Sequence, residues 1–590
     1  MTSIEIRQRF LDFFKEKGHK IVPSSSLLSS DPTVLLTTAG MQQFKEYYLN
    51  KPSPYGNRVT SCQKCFRTSD IDEVGDDSHL TFLEMLGNFS FGDYFKTKTI
   101  EFAYELLVKK YKIPEFRLWI TYFGGDENVP EDNESQKIWQ KLGIPREKIF
   151  GFDRKDNFWG PTGEEGPCGP TTEIHFDLTQ KPCPKGENCR PNCDCGRFVE
   201  VWNLVFNEYY QDKEKNLTPL KQKGVDTGMG FERLIMVLQK KSSVFDIDLS
   251  EPIIKEIEKN TQKPYNLNQK VYRVITDHIK GAVFLASERV IPSNVEEGYV
   301  LRRILRRAIR FSKLLDLPKI FLIPLAQKTI KIYQNVYPEI KSAEADILTI
   351  IQNEEEKFEK TLEKGLKEFD KLIETDLVGN KKIISGDKAF WLFETYGFPL
   401  ELTEELAKEK KLEVDRKGFG KAFKKHQEIS RAGAEKKFGG VGKEATYEAA
   451  RLHTATHLLH QSLRKILGEH VKQMGSDITP QRLRFDFSHL SKMTTEEIDK
   501  VENLVNQKIK DNLEVKKEEM EHKEALESGA LAFFREKYPE RVTVYSVGNF
   551  SKEICAGPHV SQTQELNKFK IIKEESAGAG VRRIRAILEE

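Results

Sequence analysis

The sequence contains no run of apolar residues long enough to cross a bilayer as a helix, which takes about 20 residues. An export signal is also missing, since the first residues, MTSIEIRQRFLDFFKEKGH, form a charged amphipathic pattern with a Thr2–Glu5 capping box. Strong net charge is absent as well, because the formal charge of +2 favours no particular partner. These absences exclude a membrane-spanning protein and a secreted one, and we expect a cytoplasmic protein.

Cysteine is scarce, with eight residues among 590, and without an export signal these thiols are expected to be reduced or metal-bound. The 38% hydrophobic content allows sizeable cores, and the length favours about three or four domains. The first part of the chain mixes glycine-rich turns with short β-type runs, for example residues 117–123 and 198–210.

The composition changes near residue 239, where long lysine-, glutamate- and leucine-rich stretches with helical period begin. Residues 343–374 are the clearest such helix, and residues 431–443 are glycine-rich and charged, as expected of a linker or mobile loop. Mixed helices and strands return after this joint. The sequence predicts a multidomain α+β protein divided into residues 1–238, 239–445 and 446–590.

Two pairs of metal-type ligands lie in the last region, in the strings HTATH and CAGPH. Residues i and i+4 share one helix face, so His453 and His457 can converge on one ion. A second segment offers Cys555 and His559, which can complete a tetrahedral Zn²⁺ shell. Thr454 stands where a zinc peptidase carries its glutamate, which argues against a peptidase. For the two helical histidines alone, the alternative is an ordinary core helix.

A second group of cysteines crowds into the string PCPKGENCRPNCDCGR. Four thiols so close together, with proline and glycine to turn the backbone, can close a structural Zn²⁺ site, although the spacing matches no standard finger. The alternative is a surface insertion with reduced thiols. The residues concerned are Cys183, Cys189, Cys193 and Cys195.

Two stretches of the first region suit phosphate binding. Arg67 stands beside acidic residues, and its planar fork can hold two phosphate oxygens at once. Phe89 or Phe91, in the aromatic run that follows, could stack on a base. In VDTGMGFERL, Gly228 allows close backbone approach and Arg233 lies near a helix N-terminus, a good place for a polyphosphate. An aromatic core and a tight turn are the alternatives.

The string LRRILRRAIRFSK in the middle region predicts an amphipathic helix with a strongly basic side that includes Arg302, Arg303 and Arg306. Such a side is typical of a track for nucleic-acid phosphates. The alternative is a solvated charged face.

These stretches, together with residues 23–45, resemble the signature motifs of class II aminoacyl-tRNA synthetases, and of the alanyl-tRNA synthetase family in particular. The strings EMLGNFSFGDYFK and GYVLRRILRRAIR and the HxxxH and CxxxH pairs are specific to that family, and the resemblance covers almost the whole chain. It implies an antiparallel catalytic sheet flanked by helices, a helical domain that recognises the tRNA acceptor stem, and an α/β zinc editing domain.

The resemblance also implies roles for single residues in the catalytic domain. Arg67 would hold the α-phosphate of ATP and Arg233 the γ-phosphate, with Mg²⁺ bridging the phosphates. Asp226 would pair with the alanine ammonium group. The other substrate contacts that the resemblance implies are Trp159, Asn203, Val205, Gly228, His79 and Phe91.

Members of this family identify tRNA(Ala) by a G·U wobble pair in the acceptor stem, and the matching positions are Asn294 and Glu394. The basic helix would add phosphate contacts. The two histidines of HTATH and the Cys and His of CAGPH would hold the editing zinc, so that mischarged seryl- and glycyl-tRNA(Ala) are hydrolysed. Longer relatives continue beyond SAGAGVRRIRAILEE into a dimerisation domain, so we expect a monomer.

This chain departs from the family pattern in two places. The loop that begins RTSDIDEVG is shorter than in many members, and CAGPHV replaces the usual CGGTHV. Two other functions stay open at this point: a hydrolase that only edits, and an RNA-binding protein with an inactive synthetase core.

Overall fold

A computed structural model describes residues 1–31, 33–179, 181, 183, 185–376, 382–435, 446–532, 539–578 and 580–590. The chain divides into two compact units, Met1–Glu359 and Lys360–Glu590. The predicted division into three domains therefore stays a prediction. Most of the predicted linker at residues 431–443 lies outside the described residues. Within the described part of the chain, no helix is long and apolar enough to cross a membrane.

The first unit contains strands β1 to β9 and helices α1 to α11, and α12 runs across its end. The strands are β1 Lys20–Ile21, β2 Arg58–Phe66, β3 Phe82–Phe91, β4 Leu118–Phe123, β5 Ile149–Phe152, β6 Phe158–Trp159, β7 Gly166–Asp177, β8 Phe198–Gln211 and β9 Leu217–Gly230. The helices are α1 Ser3–Glu16, α2 Lys45–Tyr48, α3 Lys96–Tyr104, α4 Asn133–Lys141, α5 Arg154–Asn157, α6 Phe231–Leu238, α7 Glu251–Glu258, α8 Gln269–Ser287, α9 Glu296–Leu314, α10 Leu322–Tyr333, α11 Pro338–Ser342 and α12 Glu344–Asp376.

These strands form one sheet in the order β1-β2-β3-β9-β8-β7-β4-β5, with β6 pairing with β7. The five pairings from β2 to β4 are antiparallel, and parallel pairing occurs at the two ends, between β1 and β2 and between β4 and β5. Helix α1 begins at the predicted capping box, in which Thr2 accepts from the Glu5 amide. The predicted antiparallel catalytic sheet flanked by helices is confirmed.

The second unit contains β10 Ile383–Ile384, β11 Glu413–Val414, β12 Gln473–Thr479, β13 Arg482–Ser488, β14 Val515–Glu521, β15 Arg541–Val547, β16 Ser551–Ile554, β17 Lys568–Gly578 and β18 Val581–Glu589. Its helices are α13 Gly386–Tyr396, α14 Leu400–Glu409, α15 Arg416–Glu435, α16 Tyr447–Leu467, α17 Thr495–Lys510 and α18 His522–Glu527. The sheet β12-β13-β18-β17 shares a buried core with α16 and α17, in which Leu459, Val505, Phe485 and Ile584 are fully buried. A second sheet, β14-β15-β16, ends just before Cys555.

Candidate functional site

A cavity in the first unit lies against the central strands of the large sheet. Strand β9 pairs with β8 so that Asp226 lies opposite Val205 and Gly228 lies opposite Asn203. Because side chains alternate along a strand, this register places these predicted residues together at the cavity wall. A Cβ on Gly228 would come within 3.0 Å of the Met85 sulfur, so glycine keeps the backbone close to its neighbour.

Two polar atoms at the cavity are buried without a hydrogen-bond partner. They are Trp159 Nε1 and Asn203 Oδ1, while Asn203 Nδ2 donates to Glu173 Oε1 over 2.8 Å. Buried polar atoms are normally paired, so these two are suited to meet a polar ligand. Burial also raises the pKa of Asp226 to about 7, which a cationic ligand would reverse.

Four positively charged or chargeable groups line the same cavity, those of Arg67, His79, Lys155 and Arg233. Arg67 Nε donates to Thr38 O over 3.3 Å, and Arg233 NH1 donates to Glu200 O over 3.2 Å. His79 Nδ1 lies 2.5 Å from an Asp76 carboxylate oxygen, and this hydrogen bond raises the pKa of the imidazole. The cavity therefore combines cationic groups, suited to phosphates, with the buried carboxylate of Asp226.

Sequence reasoning missed several carboxylates of the cavity wall, including Glu173 and Glu200. Burial raises the pKa of Glu173, with Glu200 adding to the effect. The available signal was Glu200, a single glutamate in the otherwise apolar string FVEVW. Carboxylate oxygens are the donors that Mg²⁺ prefers, so these two residues fit the ion that accompanies ATP.

The prediction that Phe91 stacks on a base is wrong. Its side chain is 3% exposed and does not line the cavity. Its ring instead packs on Tyr48 and Tyr47, with centroids 5.0 and 5.5 Å away. Strand β3 is buried on both faces, so alternation gives no signal for which aromatic residue faces a ligand.

The His–Cys cluster of the second unit brings together all four predicted ligands, His453, His457, Cys555 and His559. One donor atom of each lies within 4.8 Å of the others. A tetrahedral zinc site with bonds of about 2.0–2.3 Å has donors about 3.3–3.8 Å apart, and His453 Nε2 lies 3.4 Å from Cys555 Sγ.

The chemistry of the donors also fits zinc. His559 Nδ1 lies 3.2 Å from Thr454 Oγ1, which leaves His559 Nε2 buried without a hydrogen-bond partner. Burial lowers the pKa of His453 to about 4 and lowers the pKa values of His457 and His559 as well. The imidazoles are therefore neutral at pH 7, the form that binds a metal.

Two neighbours shape this cluster, and sequence reasoning missed both. Glu553 is 2% exposed and lies between two imidazoles, 3.6 Å from His457 Nδ1 and 3.0 Å from His460 Nδ1. A Cβ on Gly557 would lie 1.9 Å from a ring carbon of His453, so only glycine fits there. Both residues lie in the string SKEICAGPH, but their spacing from Cys555 and His559 does not indicate what they do.

The four cysteines between β7 and β8 also converge, with their sulfur atoms within 4.8 Å of one another. Cys183 Sγ lies 3.9 Å from Cys193 Sγ, and Cys189 Sγ lies 3.7 Å from Cys195 Sγ. These distances are too long for disulfides. They match the edges of about 3.8 Å of a zinc tetrathiolate tetrahedron.

The prediction that α9 presents a basic side to solvent is wrong. Arg302 and Arg306 are only 8% and 5% exposed, and Arg306 Nε donates to Glu354 Oε1 over 2.6 Å. The side chain of Arg303 is 13% exposed and bonds Asp72. Buried charged groups need such partners, and the arginines of α9 therefore make contacts within the protein.

The two predicted readers of the acceptor stem lie in different units. Asn294 is exposed just before α9, and its side-chain oxygen accepts from Arg302. The side chain of Glu394 is 50% exposed on α13, with an oxygen 3.2 Å from His426 Nε2. Their predicted contact with tRNA stays a prediction.

The antiparallel sheet and its cavity have the features of a class II synthetase core, and comparison with known families agrees. The family described as "tRNA synthetases class II (A)" matches residues 5–479, and "Threonyl and Alanyl tRNA synthetase second additional domain" matches residues 542–585. The chain is 48% identical to the alanine–tRNA ligase of Borrelia hermsii, covering 99% of both chains.

Two other relatives carry the same name. The alanine–tRNA ligase of Treponema pallidum is 49% identical, covering 99% of this chain and 98% of the relative. That of Thermotoga maritima is 42% identical, covering 100% of this chain and 80% of the relative. The chain belongs to the alanine–tRNA ligase family.

Proposed function

We propose that the protein activates L-alanine with ATP and transfers the alanyl group to tRNA(Ala), and that its second unit hydrolyses mischarged seryl- and glycyl-tRNA(Ala). The observation that carries the synthetic activity is the cavity in which Arg67, Arg233 and Asp226 meet on one antiparallel sheet. The charges of this cavity match the two reactants, since ATP is anionic and the amino group of alanine is cationic.

In the first step, an alanine carboxylate oxygen attacks the α-phosphorus of ATP. The bond from that phosphorus to the oxygen bridging to the β-phosphate breaks, and pyrophosphate leaves with the bond electrons. Arg67 and Arg233 stabilise the charge that builds up on the phosphate oxygens, and protonated His79 adds a third positive charge. Glu173 and Glu200 are the carboxylates that would hold Mg²⁺, which would neutralise further phosphate charge.

The amino-acid end of the cavity orients the nucleophile. The Asp226 carboxylate pairs with the alanine ammonium group. Trp159 Nε1 and Asn203 Oδ1 supply a donor and an acceptor that have no partner within the protein. Val205 and Gly228 also line the cavity wall, where they would meet the alanine methyl group. In the second step, a ribose hydroxyl of the tRNA attacks the alanyl carbonyl carbon and AMP leaves.

A pocket for alanine cannot strongly exclude glycine, because one methyl group is worth only about 1–3 kcal/mol. Serine adds a single hydroxyl and fits almost as well. Hydrolysis at the His–Cys cluster removes these errors, with His453, His457, Cys555 and His559 holding Zn²⁺. The bound ion would orient the ester end of the mischarged tRNA. The four clustered cysteines of the first unit hold a second, structural Zn²⁺.

Recognition of the tRNA uses Asn294 and Glu394, whose amide and carboxylate suit the guanine amino group that a G·U pair leaves exposed in the minor groove. We further propose that the protein acts as a monomer in the cytoplasm.

The test is ATP–pyrophosphate exchange with alanine, glycine and serine in turn, followed by deacylation of seryl-tRNA(Ala). Exchange should be strongest with alanine and measurable with the other two. Absence of exchange with all three, in folded protein, would favour an editing hydrolase or an RNA-binding protein instead. Exchange without deacylation would reject the editing function alone.

A further inference from the structure

The segment between β2 and β3, residues 67–81, forms one wall of the cavity and is called the ATP loop below. Arg67, Asp70, Ser78 and His79 of this loop face the cavity. Its other side is bonded to helices α8 and α9, which lie in the same unit. The loop therefore connects the proposed ATP site with two helices that take no part in the cavity itself.

Helix α9 contacts the ATP loop through two arginines. Arg303 NH2 lies 2.7 Å from Asp72 Oδ1. Arg307 NH1 donates to the main-chain oxygen of Ile71 over 2.7 Å. Arg307 is 5% exposed, and Arg303 retains some contact with solvent. The two contacts fix adjacent residues of the loop, one through a side chain and one through the backbone.

Helix α8 holds the second half of the loop. Arg273 NH2 lies 2.7 Å from Asp77 Oδ1, and Arg273 NH1 donates to Gly75 O over 3.2 Å. Gly75 has φ +125°, and a Cβ there would lie 2.7 Å from the Lys270 side chain. The loop thus follows a path that only glycine permits at this point, pressed against α8.

The two helices also support each other beneath the loop. Asp277 Oδ1 accepts from the Thr81 amide over 2.9 Å, and its other oxygen lies 2.9 Å from His278 Nδ1. His278 Nε2 in turn lies 2.9 Å from Arg307 NH1. All of these groups are buried, so each contact is made in a low dielectric, where an unmade contact is costly.

We propose that Arg303 and Arg307 of α9 are positioning residues for ATP: they hold the ATP loop so that Arg67 and His79 face the phosphates. They are not phosphate ligands of the tRNA. The inference rests on the proposed function, because it assigns the cavity to ATP. The charge of α9 is thereby explained by contacts within the unit rather than by an exposed nucleic-acid surface.

Arg303 is the residue to test, because it is partly exposed and its removal leaves no fully buried partner. Arg303→Ala should raise the KM for ATP in tRNA-free ATP–pyrophosphate exchange by about three- to fivefold, the range of an ion pair near the surface. The KM for alanine and the thermal unfolding midpoint should change little. Asp72→Ala should have the same effect from the loop side, and the double variant should be no worse than either single one.

Two further variants sharpen the test. Exchanging the partners, Arg303→Asp with Asp72→Arg, should restore most of the ATP KM. Lys313→Ala removes a positive charge from the last turn of the same helix and should leave the ATP KM unchanged.

A different set of kinetic results would overturn the inference. If Arg303→Ala leaves exchange kinetics unaltered but raises the KM for tRNA in aminoacylation, Arg303 is a tRNA contact and the inference is overturned. Additive losses in the double variant would also overturn it. A wild-type protein without any exchange would instead reject the proposed synthetase function, so the two failures are distinguishable.

Discussion

The cationic groups of the cavity on the large sheet differ from the imidazoles of the His–Cys cluster in whether the protein itself supplies their partners. In the cavity, Arg67, Arg233 and His79 already have hydrogen-bond partners within the protein. In the cluster, His559 Nε2 is buried without such a partner, and His453 Nε2 lies 3.4 Å from Cys555 Sγ. The cationic groups of the first site are therefore held by the protein itself, whereas we expect the second site to need a cation between its ligand atoms.

Because of this difference, the two sites should respond differently to the removal of a side chain. Removing a charged group from the cavity should alter the reaction while leaving the fold intact. Removing a ligand from the cluster should alter metal binding first and the hydrolytic reaction as a consequence.

Arg67→Ala should lower alanine-dependent ATP–pyrophosphate exchange by about 100- to 1,000-fold, because a preorganised charge at the transition state is lost. Zinc content and deacylation of seryl-tRNA(Ala) should stay unchanged. Arg9→Ala, an exposed arginine of α1 away from the cavity, is the matched control. A fall in deacylation alongside exchange would show that the two sites are not independent.

Cys555→Ser should remove one zinc equivalent per chain, measured by atomic absorption, and lower deacylation of seryl-tRNA(Ala) by more than about 100-fold, beyond the effect expected for a neighbour of a metal ligand. Exchange should remain at the wild-type level. Cys62→Ser, which alters a thiol of β2 instead, should keep the full zinc content. Retention of that zinc in Cys555→Ser would contradict the assignment of the ligand.

Glu553→Gln should weaken zinc binding by about 10- to 100-fold, because the buried carboxylate lies 3.6 Å from His457 Nδ1 and would support that imidazole as a ligand. The affinity is best measured by competition with a chromogenic chelator. Lys552→Ala, the preceding residue of β16, should bind zinc as the wild type does. An unchanged affinity in Glu553→Gln would mean that the carboxylate only fills space between the histidines.

The smallest effect concerns pH. Burial raises the pKa of Asp226 to about 7 in the absence of alanine. The ammonium group of alanine needs the ionised carboxylate, so the KM for alanine should fall as the pH rises from 6 to 8, by up to about tenfold for a group that titrates near 7. Exchange at saturating ATP measures this directly. A KM for alanine that is constant across this range would refute the pairing of Asp226 with the ammonium group.

Local features of the fold could be predicted from the sequence. The capping box set the start of α1, and the apolar string at residues 198–210 gave β8 almost to its ends. The convergence of the His–Cys cluster was also predictable, because helical spacing puts His453 and His457 on one face. Zinc binding there stays a prediction. Local sequence indicated Arg67, Gly228 and Arg233 of the first site. Its other residues were found only through family resemblance, since the cavity joins segments that are distant in sequence.

Long-range partners could not be predicted. Nothing near Arg306 in the sequence indicates that Glu354 buries it, and Asp72 lies far from Arg303 along the chain. A basic helix therefore looks the same in sequence whether its arginines meet solvent, RNA or acidic residues of the protein. The side of β3 that Phe91 takes is similarly hidden, because both faces of that strand are buried.

The position of the proposed alanine pocket in the chain indicates the order in which the two parts of the cavity form during folding. Asn203, Val205, Asp226 and Gly228 all belong to the antiparallel pair β8 and β9, which is one continuous segment of the chain. Neighbouring strands joined by a short turn pair much faster than strands brought together from distant segments. Arg67, by contrast, reaches this wall only after β3 has paired with β9 across a long stretch of sequence. We therefore expect the nascent chain to form the proposed alanine pocket before it forms the proposed ATP site.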